Sequence, residues 1–316
     1  MRESANEHFH CDVTSVVLGR PAAFSMSSEE DALAENRLSS AAKIAGFKDI
    51  KFCPEPVAAA YDYKQQIIKD SLVLIADFGG GTSDFSIVQM GAKDLTREQV
   101  LGLGGISLAG DAYDGSIMKN KINRHFGTSV KYKMPSGTNV LEFPKFLLSK
   151  LNSPADINFL ARAESILLLK NLYRWCVSDE ERRKIHQLIG LIEEGLGYAI
   201  YKEIEMSKKH LSSHERTRFE YNHPVGISIV DEILRDEFLE FSHTITEQIM
   251  STLGEVFKQA QIKVSNIDMV CLTGGTAQLK SIRQSFEHLF GREKVQDFRF
   301  FHSIINGLSV RARELS

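Results

Sequence analysis

A run of eight residues, Asp-Phe-Gly-Gly-Gly-Thr-Ser-Asp at positions 77–84, combines residue types suited to phosphate and magnesium. Its glycines allow positive φ and close approach of a ligand, and successive backbone N–H groups in such a turn form an anion-binding concavity. Thr82 and Ser83 add hydroxyl donors. The carboxylates of Asp77 and Asp84 can hold Mg²⁺ through its water shell or orient a water for in-line attack. The run therefore predicts a phosphate-binding turn.

Three glycines alone more often mark an ordinary turn, and the two flanking aspartates favour the phosphate interpretation. Two competing phosphate motifs do not fit. No Gly-x-x-x-x-Gly-Lys-Ser/Thr segment occurs in the sequence, so a P-loop is not indicated. A dinucleotide-binding fingerprint needs a helix after the glycines, whereas residues 85–90 are predicted to form a strand. The glycines therefore join strand to strand, as in a β-hairpin.

Three further segments carry groups that could contact a nucleotide. Gly-Gly-Thr at 274–276 follows a predicted strand and precedes a helix, where free N–H groups and the helix dipole favour a phosphate or ribose. Glu205, Lys208 and Ser212 are spaced i, i+3, i+7, which places them on one helical face with groups that suit ribose hydroxyls. Glu55, between two prolines, could act as a general base or orient a water.

Each of these three segments also has a common structural interpretation. Many strand-to-helix turns use glycine for packing alone. The face formed by Glu205, Lys208 and Ser212 is, by itself, more often a solvated surface with an i,i+3 ion pair. Glu55 alone would be an ordinary exposed loop acid. The nucleotide interpretation depends on all the segments occurring together.

The composition narrows the class of protein. The 316 residues are 43% hydrophobic and 25% charged, with a net charge of −3 and no basic block, so nucleic-acid binding is not indicated. Four dispersed cysteines without a Cys-x-x-Cys pair favour a reducing compartment. The first residues lack the apolar core of a signal peptide, and no apolar run approaches the ~18 residues that span a bilayer. We expect a cytoplasmic protein without a membrane segment.

The elements that must position these groups follow from hydrophobic patterning. We predict strands over residues 13–18, 50–53, 72–76, 85–90 and 269–273. A helix should follow the capping box of Ser27 and Glu30 and end at Gly46. Its inward residues are predicted to be Leu33, Leu38, Ala41 and Ala45. Further helices are expected over 57–63, over 227–260, and from Leu279 to Gly291, and residues 112–220 should be mostly helical.

In order along the chain, these segments resemble the nucleotide-binding domain of DnaK-type heat-shock 70 kDa chaperones. The resemblance rests on Gly-Arg-Pro-Ala at 19–22, Glu-Pro-Val-Ala-Ala-Ala at 55–60, the run at 77–84, the glycine-rich turn at 103–114, the helix at 205–213 and the strand and turn at 272–276. It is weakest across residues 120–200. That insertion-like region is most similar to the YegD-like branch, which lacks a peptide-binding domain.

The resemblance implies an α/β actin-like ATPase (ribonuclease H-like) fold that binds ATP or ADP with Mg²⁺. Glu55, Asp77 and Asp84 would assist hydrolysis, with Asp77 acting through Mg²⁺-bound water and Asp84 placing the attacking water. The phosphates would be held by Gly79, Gly80, Gly81, Thr82 and Ser83. The adenosine would be held by Gly110, Glu205, Lys208, Ser212, Gly274, Gly275, Thr276 and Gln278.

The sequence also departs from that family. The family begins with its own Asp-Leu-Gly-Thr-Thr type phosphate loop and takes a catalytic lysine from the same region, and neither precedes Val13 here. Gln278 stands where the family has an arginine that stacks on adenine, and a neutral amide stacks less well than a guanidinium. The turn at 109–111 has lost one glycine. We therefore expect a truncated form with an incomplete first lobe and impaired ATP hydrolysis.

The expected organisation follows that reading of the chain. Residues 1–70 would be a remnant of lobe I with an unpaired sheet edge. Residues 71–111 and 225–300 would form the α/β core of a complete lobe II, and 112–224 its mostly helical subdomain. Residues 301–316 would form a helix returning toward lobe I. Upstream DNA encoding an Asp-x-Gly-Thr segment would support an interrupted or mis-started gene.

Several functions remain compatible with these residues. The first is an ATP-binding chaperone relative whose partners are unfolded client proteins or a complementing N-terminal fragment. The second is a reactivase or a filament protein of the same superfamily. A sugar kinase would need a substrate-binding aspartate from the first lobe, which the sequence does not offer. The last is a structural or regulatory remnant that binds no nucleotide.

Overall fold

The computed structural model describes residues 2–21, 24, 27–55, 57–58, 70–90, 100–135, 137, 139–297 and 300–315. The strands are β1 Ser15–Arg20, β2 Asp49–Pro54, β3 Ser71–Phe78, β4 Ser83–Met90, β5 Val100–Ile106, β6 Lys131–Lys133, β7 Val140–Glu142, β8 Arg216–His223, β9 Ile227–Leu234, β10 Met269–Thr273 and β11 Val295–Asp297. The helices are α1 Arg2–Phe9, α2 Ser28–Ile44, α3 Gly110–Ile117, α4 Lys145–Leu151, α5 Ala163–Trp175, α6 Asp179–Glu193, α7 Gly197–Leu211, α8 Arg235–Ala260, α9 Lys280–Phe290 and α10 Phe300–Leu315.

The main sheet has five strands in the order β5-β4-β3-β10-β11. β3, β4 and β5 form an antiparallel meander, whereas β10 runs parallel to both β3 and β11. β3 is central, and its apolar run at 73–76 is buried, as expected for a strand covered on both faces. Because β3 and β10 are parallel, their carboxyl ends meet at one edge, where Thr273 pairs with Asp77.

The larger hydrophobic core joins one face of this sheet to the helices that follow it, including α3, α6, α7, α8 and α9. α8 lies directly against β5. A Cβ on Gly104 would lie 2.4 Å from Val256 Cγ2, so the glycine allows a contact that a side chain would prevent. This packing explains why β5 is glycine-rich although it is a strand.

A second, smaller core lies on the other face of the main sheet. It brings together the parallel pair β1 and β2, residues 57–58, parts of β3, β4 and β10, and α10. α10 approaches closely, since a Cβ on Gly307 would lie 1.7 Å from the carbonyl oxygen of Ala58. Leu308 of the same helix lies beside Gly19. The C-terminal helix therefore packs on the N-terminal strands.

The five predicted strands are confirmed, with no end shifted by more than two residues. The helix predicted over 227–260 is wrong in its first eight residues. These form β9, in which every second residue from Ile227 to Ile233 is buried, and β9 pairs with β8 in an antiparallel hairpin. The apolar residues follow period two, so a strand satisfies them better than a helix. The sequence predicts the end of the helical subdomain at residue 224 and the start of the second α/β core segment at residue 225. This boundary falls in the turn between β8 and β9.

The predicted inward face of α2 is also wrong. Three of its four predicted residues are exposed, namely Leu33, Ala41 and Ala45. The face that packs instead is spaced by four residues and consists of Ala34, Leu38 and Ala42. The helix is tied to β1 by the buried Arg20, which pairs with Asp31 at 2.6 Å and with Glu35.

Two further points concern the predicted elements. Of the helix expected over 57–63, residues 57 and 58 are helical, and the rest lies outside the described residues. Gly291 ends α9 with a φ of +90°, as predicted. Among the helices that the structure describes, none combines the length and hydropathy needed to cross a membrane.

Candidate functional site

The run at 77–84 forms the tip of the β3–β4 hairpin. Asp77 is opposite Asp84 and Phe78 opposite Ser83, and the N–H of Gly79 donates to the carbonyl of Thr82 at 2.9 Å. Phe78 is completely buried and anchors the base of the turn. The predicted strand–turn–strand geometry is therefore confirmed, and the glycines project from the carboxyl end of β3.

Three predicted carboxylates are close enough to influence one another. Burial, and then the neighbouring Asp84 and Glu55, raise the pKa of Asp77 from 3.8 to about 6. Burial and then Asp84 raise the pKa of Glu55. Burial also raises the pKa of Asp84, although the Thr82 hydroxyl, which donates to it at 2.8 Å, opposes this rise. The three acids form a site of concentrated negative charge.

This charge fits a hydrated divalent cation, because Mg²⁺ is bound through few carboxylates and keeps several waters. In the part of the chain that the structure describes, no group of three or more His, Cys, Asp or Glu side chains is placed to hold a metal by direct ligation.

Two other glycine turns meet the hairpin. The N–H groups of Gly110 and Asp111 donate to the carbonyls of Gly79 and Gly80, at 3.4 Å and 2.7 Å. Thr276 Oγ1 donates to the Gly79 carbonyl at 3.3 Å. These bonds hold the turns after β3, β5 and β10 against one another, so residues distant in sequence share one edge of the sheet.

The Gly-Gly-Thr segment leads into a short 3₁₀ helix with Gly275 at its N-cap, and not directly into the α-helix. A 3₁₀ turn, Thr276–Gln278, separates it from α9. Gly274 has a φ of +89°, and a Cβ there would lie 1.9 Å from the Phe78 carbonyl oxygen. Glycine is required here because the chain turns directly beneath β3, and the α-helix begins only afterwards.

Lys208 has partners that the sequence did not indicate. Its ammonium donates to the Gly110 carbonyl at 3.0 Å and to Asp114 Oδ2 at 2.8 Å. Lys208 and Asp114 are only 7% and 6% exposed. Glu205 instead pairs with Lys209 at 2.6 Å, so the solvated i,i+3 pair is not formed. Lys208 thus joins α7 to the first turns of α3.

Sequence reasoning missed Asp114. Its pKa is raised to about 6, chiefly by burial, although Lys208 opposes this rise. The available signal was its place in the first turns of α3, directly after the glycine-rich strand β5. Spacing of three residues places it on the same helical face as Asp111, beside the hairpin.

A cleft of about 840 Å³ runs between the glycine turns and α7. It is lined by eleven of the predicted site residues, which are Asp77, Gly79, Gly80, Gly110, Glu205, Lys208, Ser212, Gly274, Gly275, Thr276 and Gln278. Glu55, Gly81, Thr82, Ser83 and Asp84 do not line it. The Ser83 hydroxyl is buried and donates to the Leu108 carbonyl at 2.6 Å, so it braces the hairpin.

Glycine turns and acids lie at the carboxyl ends of β3 and β10, which is the edge at which α/β proteins with such sheets bind ligands. The Hsp70 protein family model matches residues 1–140 and 193–313. The chain belongs to the Hsp70 family. Its fold is accordingly the α/β actin-like ATPase (ribonuclease H-like) fold. Residues 141–192, which include α4, α5 and all of α6 except its last residue, lie outside the matched segments.

Curated relatives agree with this family. Heat shock 70 kDa protein 13 of Homo sapiens is 23% identical over 328 residues, covering 99% of this chain and 62% of that protein. Chaperone protein dnaK of Thalassiosira pseudonana is 23% identical over 315 residues, covering 98% and 41%. Chaperone protein DnaK of Psychrobacter cryohalolentis is 23% identical over 326 residues, covering 100% and 40%. The chain thus spans less than two thirds of these relatives' length.

Proposed function

We propose that this chain binds an adenine nucleotide with Mg²⁺ in the cleft between the hairpin and α7. The observation that supports this most directly is the meeting of three glycine turns, at Gly79, Gly110 and Gly274, beside the neighbouring acids Glu55, Asp77 and Asp84. Glycine turns let a phosphate approach the backbone closely, and the acids complement a phosphate-bound cation.

Each residue has a defined role in this proposal. The backbone of Gly79 and Gly80 holds the phosphates, and Asp77 holds Mg²⁺ through water. When bound, the ion neutralises charge on the phosphate oxygens. Glu55 and Asp84 orient the attacking water. The remaining cleft residues hold the adenosine, namely Gly110, Glu205, Lys208, Ser212, Gly274, Gly275, Thr276 and Gln278.

We further propose that hydrolysis by this chain is slow. Phosphoryl transfer depends on cations that stabilise charge on the transferred group. Within the described residues, the lysines that line the cleft are Lys202, Lys208 and Lys209, all on α7, and Lys208 is already bonded to Asp114. No lysine or arginine of the described cleft lining comes from the hairpin side. Turnover equal to that of a full-length DnaK assayed in parallel would contradict this proposal.

The names of the relatives extend the proposal to chaperone activity. They are called heat-shock and chaperone proteins, and we propose that this chain acts with unfolded client proteins in a nucleotide-dependent way. Light scattering of a heat-denatured model substrate tests this. Suppression of aggregation that changes with ATP supports it, and equal aggregation with and without this chain contradicts it.

The nucleotide proposal is tested by isothermal titration calorimetry with ATP, in Mg²⁺ and in EDTA. Asp77→Asn should weaken binding in Mg²⁺ about tenfold or more, because it removes a charge-assisted bond to the hydrated ion. In EDTA the affinity should stay the same or rise, because the substitution removes negative charge beside the phosphates.

Asp70→Asn is the matched control, since Asp70 is exposed and does not line the cleft. It should bind as the wild type does. Absence of ATP binding by the wild-type chain would refute the proposal. An equal loss for Asp77→Asn in Mg²⁺ and in EDTA would refute the role given to Asp77.

A further inference from the structure

The cleft is longer than the set of nucleotide contacts proposed above. One face of α7 lines it from Tyr198 through Lys202, Glu205 and Lys208 to Ser212 beyond the helix end. Tyr198 and Ser212 are fourteen positions apart, which corresponds to about 21 Å along the helix axis. The proposed adenosine contacts use only the half from Glu205 to Ser212, so the half that begins at Tyr198 has no assigned ligand.

The hairpin tip that holds the phosphates in our proposal, at Gly79 and Gly80, lies near Lys208 on this face of α7. A Cβ on Gly110 would lie 3.4 Å from the Lys208 ammonium and 3.5 Å from the Gly80 carbonyl oxygen. Ser212 lies one turn from this level toward the C-terminus of α7. Tyr198 lies ten residues, or about 15 Å, in the opposite direction. The phosphate position is therefore between two ends of the cleft.

The unassigned end has a wall that comes from outside the family model. Pro154, Ile157 and Asn158 line it, and all three lie within residues 141–192. The wall is packed on the start of α7, because a Cβ on Gly197 would lie 2.8 Å from Ile157 Cγ2 and 3.3 Å from Asn158 Oδ1. The Tyr201 hydroxyl also ties α7 to this region by donating to the Leu151 carbonyl at 2.8 Å.

The chemistry of this end suits a planar, partly polar group. Pro154 provides a part-exposed apolar surface with the buried Ile157 next to it, and Tyr198 is 77% exposed on the same side of the cleft. Asn158 is exposed, and its amide has both the donor and the acceptor that pair with nucleobase edges. Stacking of a base on an aromatic side chain contributes about 1–3 kcal/mol.

We propose that this end of the cleft is a second nucleobase subsite, so that the chain prefers a nucleotide with a planar group at both ends of its phosphates. Tyr198 stacks on the second base, and Asn158 bonds to its edge. The ligand class is a dinucleoside polyphosphate. This inference rests on the proposed nucleotide function, since it places the phosphates at Gly79 and Gly80.

The test compares ATP with diadenosine tetraphosphate, both with Mg²⁺, by calorimetry on the full chain. The wild type should bind diadenosine tetraphosphate about tenfold tighter than ATP, which lies within the range expected for stacking one base. Tyr198→Ala should bring that ratio close to one without changing the affinity for ATP. Asn158→Ala should reduce the ratio in the same direction.

Tyr173→Ala is the matched control, because Tyr173 is a part-exposed tyrosine of α5 that does not line the cleft. It should leave the ratio unchanged. A ratio near one in the wild type, or a ratio that Tyr198→Ala does not change, overturns the second subsite. An equal loss for both ligands in Tyr198→Ala also overturns it, because Tyr198 would then belong to the ATP site. Failure of the wild type to bind ATP refutes the underlying nucleotide function.

Discussion

Asp114 illustrates how a single buried side chain sets the properties of the site. It positions Lys208, which in turn holds the Gly110 turn against α7. Among the residues that the structure describes, its buried Oδ1 has no hydrogen-bond partner. An unpaired buried acceptor costs about 1–3 kcal/mol, and a buried charged group costs more. Asp114 therefore helps to hold the cleft in shape but lowers the free energy of unfolding.

The raised pKa of Asp114 predicts that the free energy of unfolding depends on pH. Because the folded-state pKa of Asp114 is raised from 3.8 to about 6, the folded protein binds this proton more tightly than the unfolded chain does. The stabilisation is present below the unfolded pKa and is lost as the pH rises through about 6. Relative to Asp114→Asn, the wild type should lose on the order of 1–3 kcal/mol between pH 4 and pH 7.

Urea unfolding of the wild type and Asp114→Asn at a series of pH values measures this difference. Asp236→Asn is the control, because Asp236 is exposed on α8. Its unfolding free energy should follow the wild type across the whole range. A difference between wild type and Asp114→Asn that does not vary with pH would show that Asp114 does not titrate as stated.

At the scale of elements, close contacts between backbones and helices position the glycine turns. β5 leads into the Gly110 turn, and α8 lies against β5 at Gly104. No Cβ fits at this crossing without displacing Val256. The contact therefore sets the distance between α8 and β5. Because β5 leads into the Gly110 turn, it also sets the position of that turn in the cleft.

Gly104→Ala should reduce the free energy of unfolding by about 1–3 kcal/mol, the usual cost of overpacking a core. Val256→Ala removes the clashing methyl groups, so the double variant should be more stable than the sum of the two single effects predicts. Chemical denaturation of all four proteins measures this coupling. Strictly additive effects would mean that α8 does not contact β5 at Gly104.

At the scale of the whole molecule, the smaller core connects the chain termini to the acids of the site. Glu55 follows β2 directly and lies beside Gly19, which also contacts Leu308 of α10. Ala58, three residues after Glu55, is in van der Waals contact with the backbone of α10 at Gly307. Displacement of α10 should therefore move Glu55 relative to Asp77 and Asp84.

Gly307→Ala tests this connection, because its Cβ would collide with the Ala58 carbonyl oxygen at 1.7 Å. We expect a lower melting temperature and weaker Mg²⁺-dependent ATP binding. Gly254→Ala is the control, since a Cβ on this α8 glycine meets no atom of the described part of the chain within 4 Å. It should stabilise the protein by about 0.5–1 kcal/mol and leave binding unchanged. Unchanged ATP affinity in Gly307→Ala would show that the position of α10 does not affect the site.

Several expectations about the whole molecule stay predictions, including the incomplete first lobe and the likeness to the YegD-like branch.

The parts of the fold that could be predicted are those with a strong local pattern. The run at 72–76 could be recognised as a buried strand, and the run at 77–84 as a hairpin, from neighbouring residues alone. The error at 227–234 arose because a short alternating segment preceded a long helix, and the pattern was read with one period throughout.

The sequence by itself determined five of the strands, the glycine turns and the acids that carry the proposed chemistry, because these depend on residues adjacent in the chain. Only the tertiary structure decided which of them meet. Lys208 and Asp114 are 94 residues apart, and Thr276 and Gly79 are 197 apart. Such pairings follow from the parallel alignment of β3 and β10 and from the packing of α7, which no local pattern specifies. The second end of the cleft, at Tyr198, likewise depends on where residues 154–158 fold back onto α7.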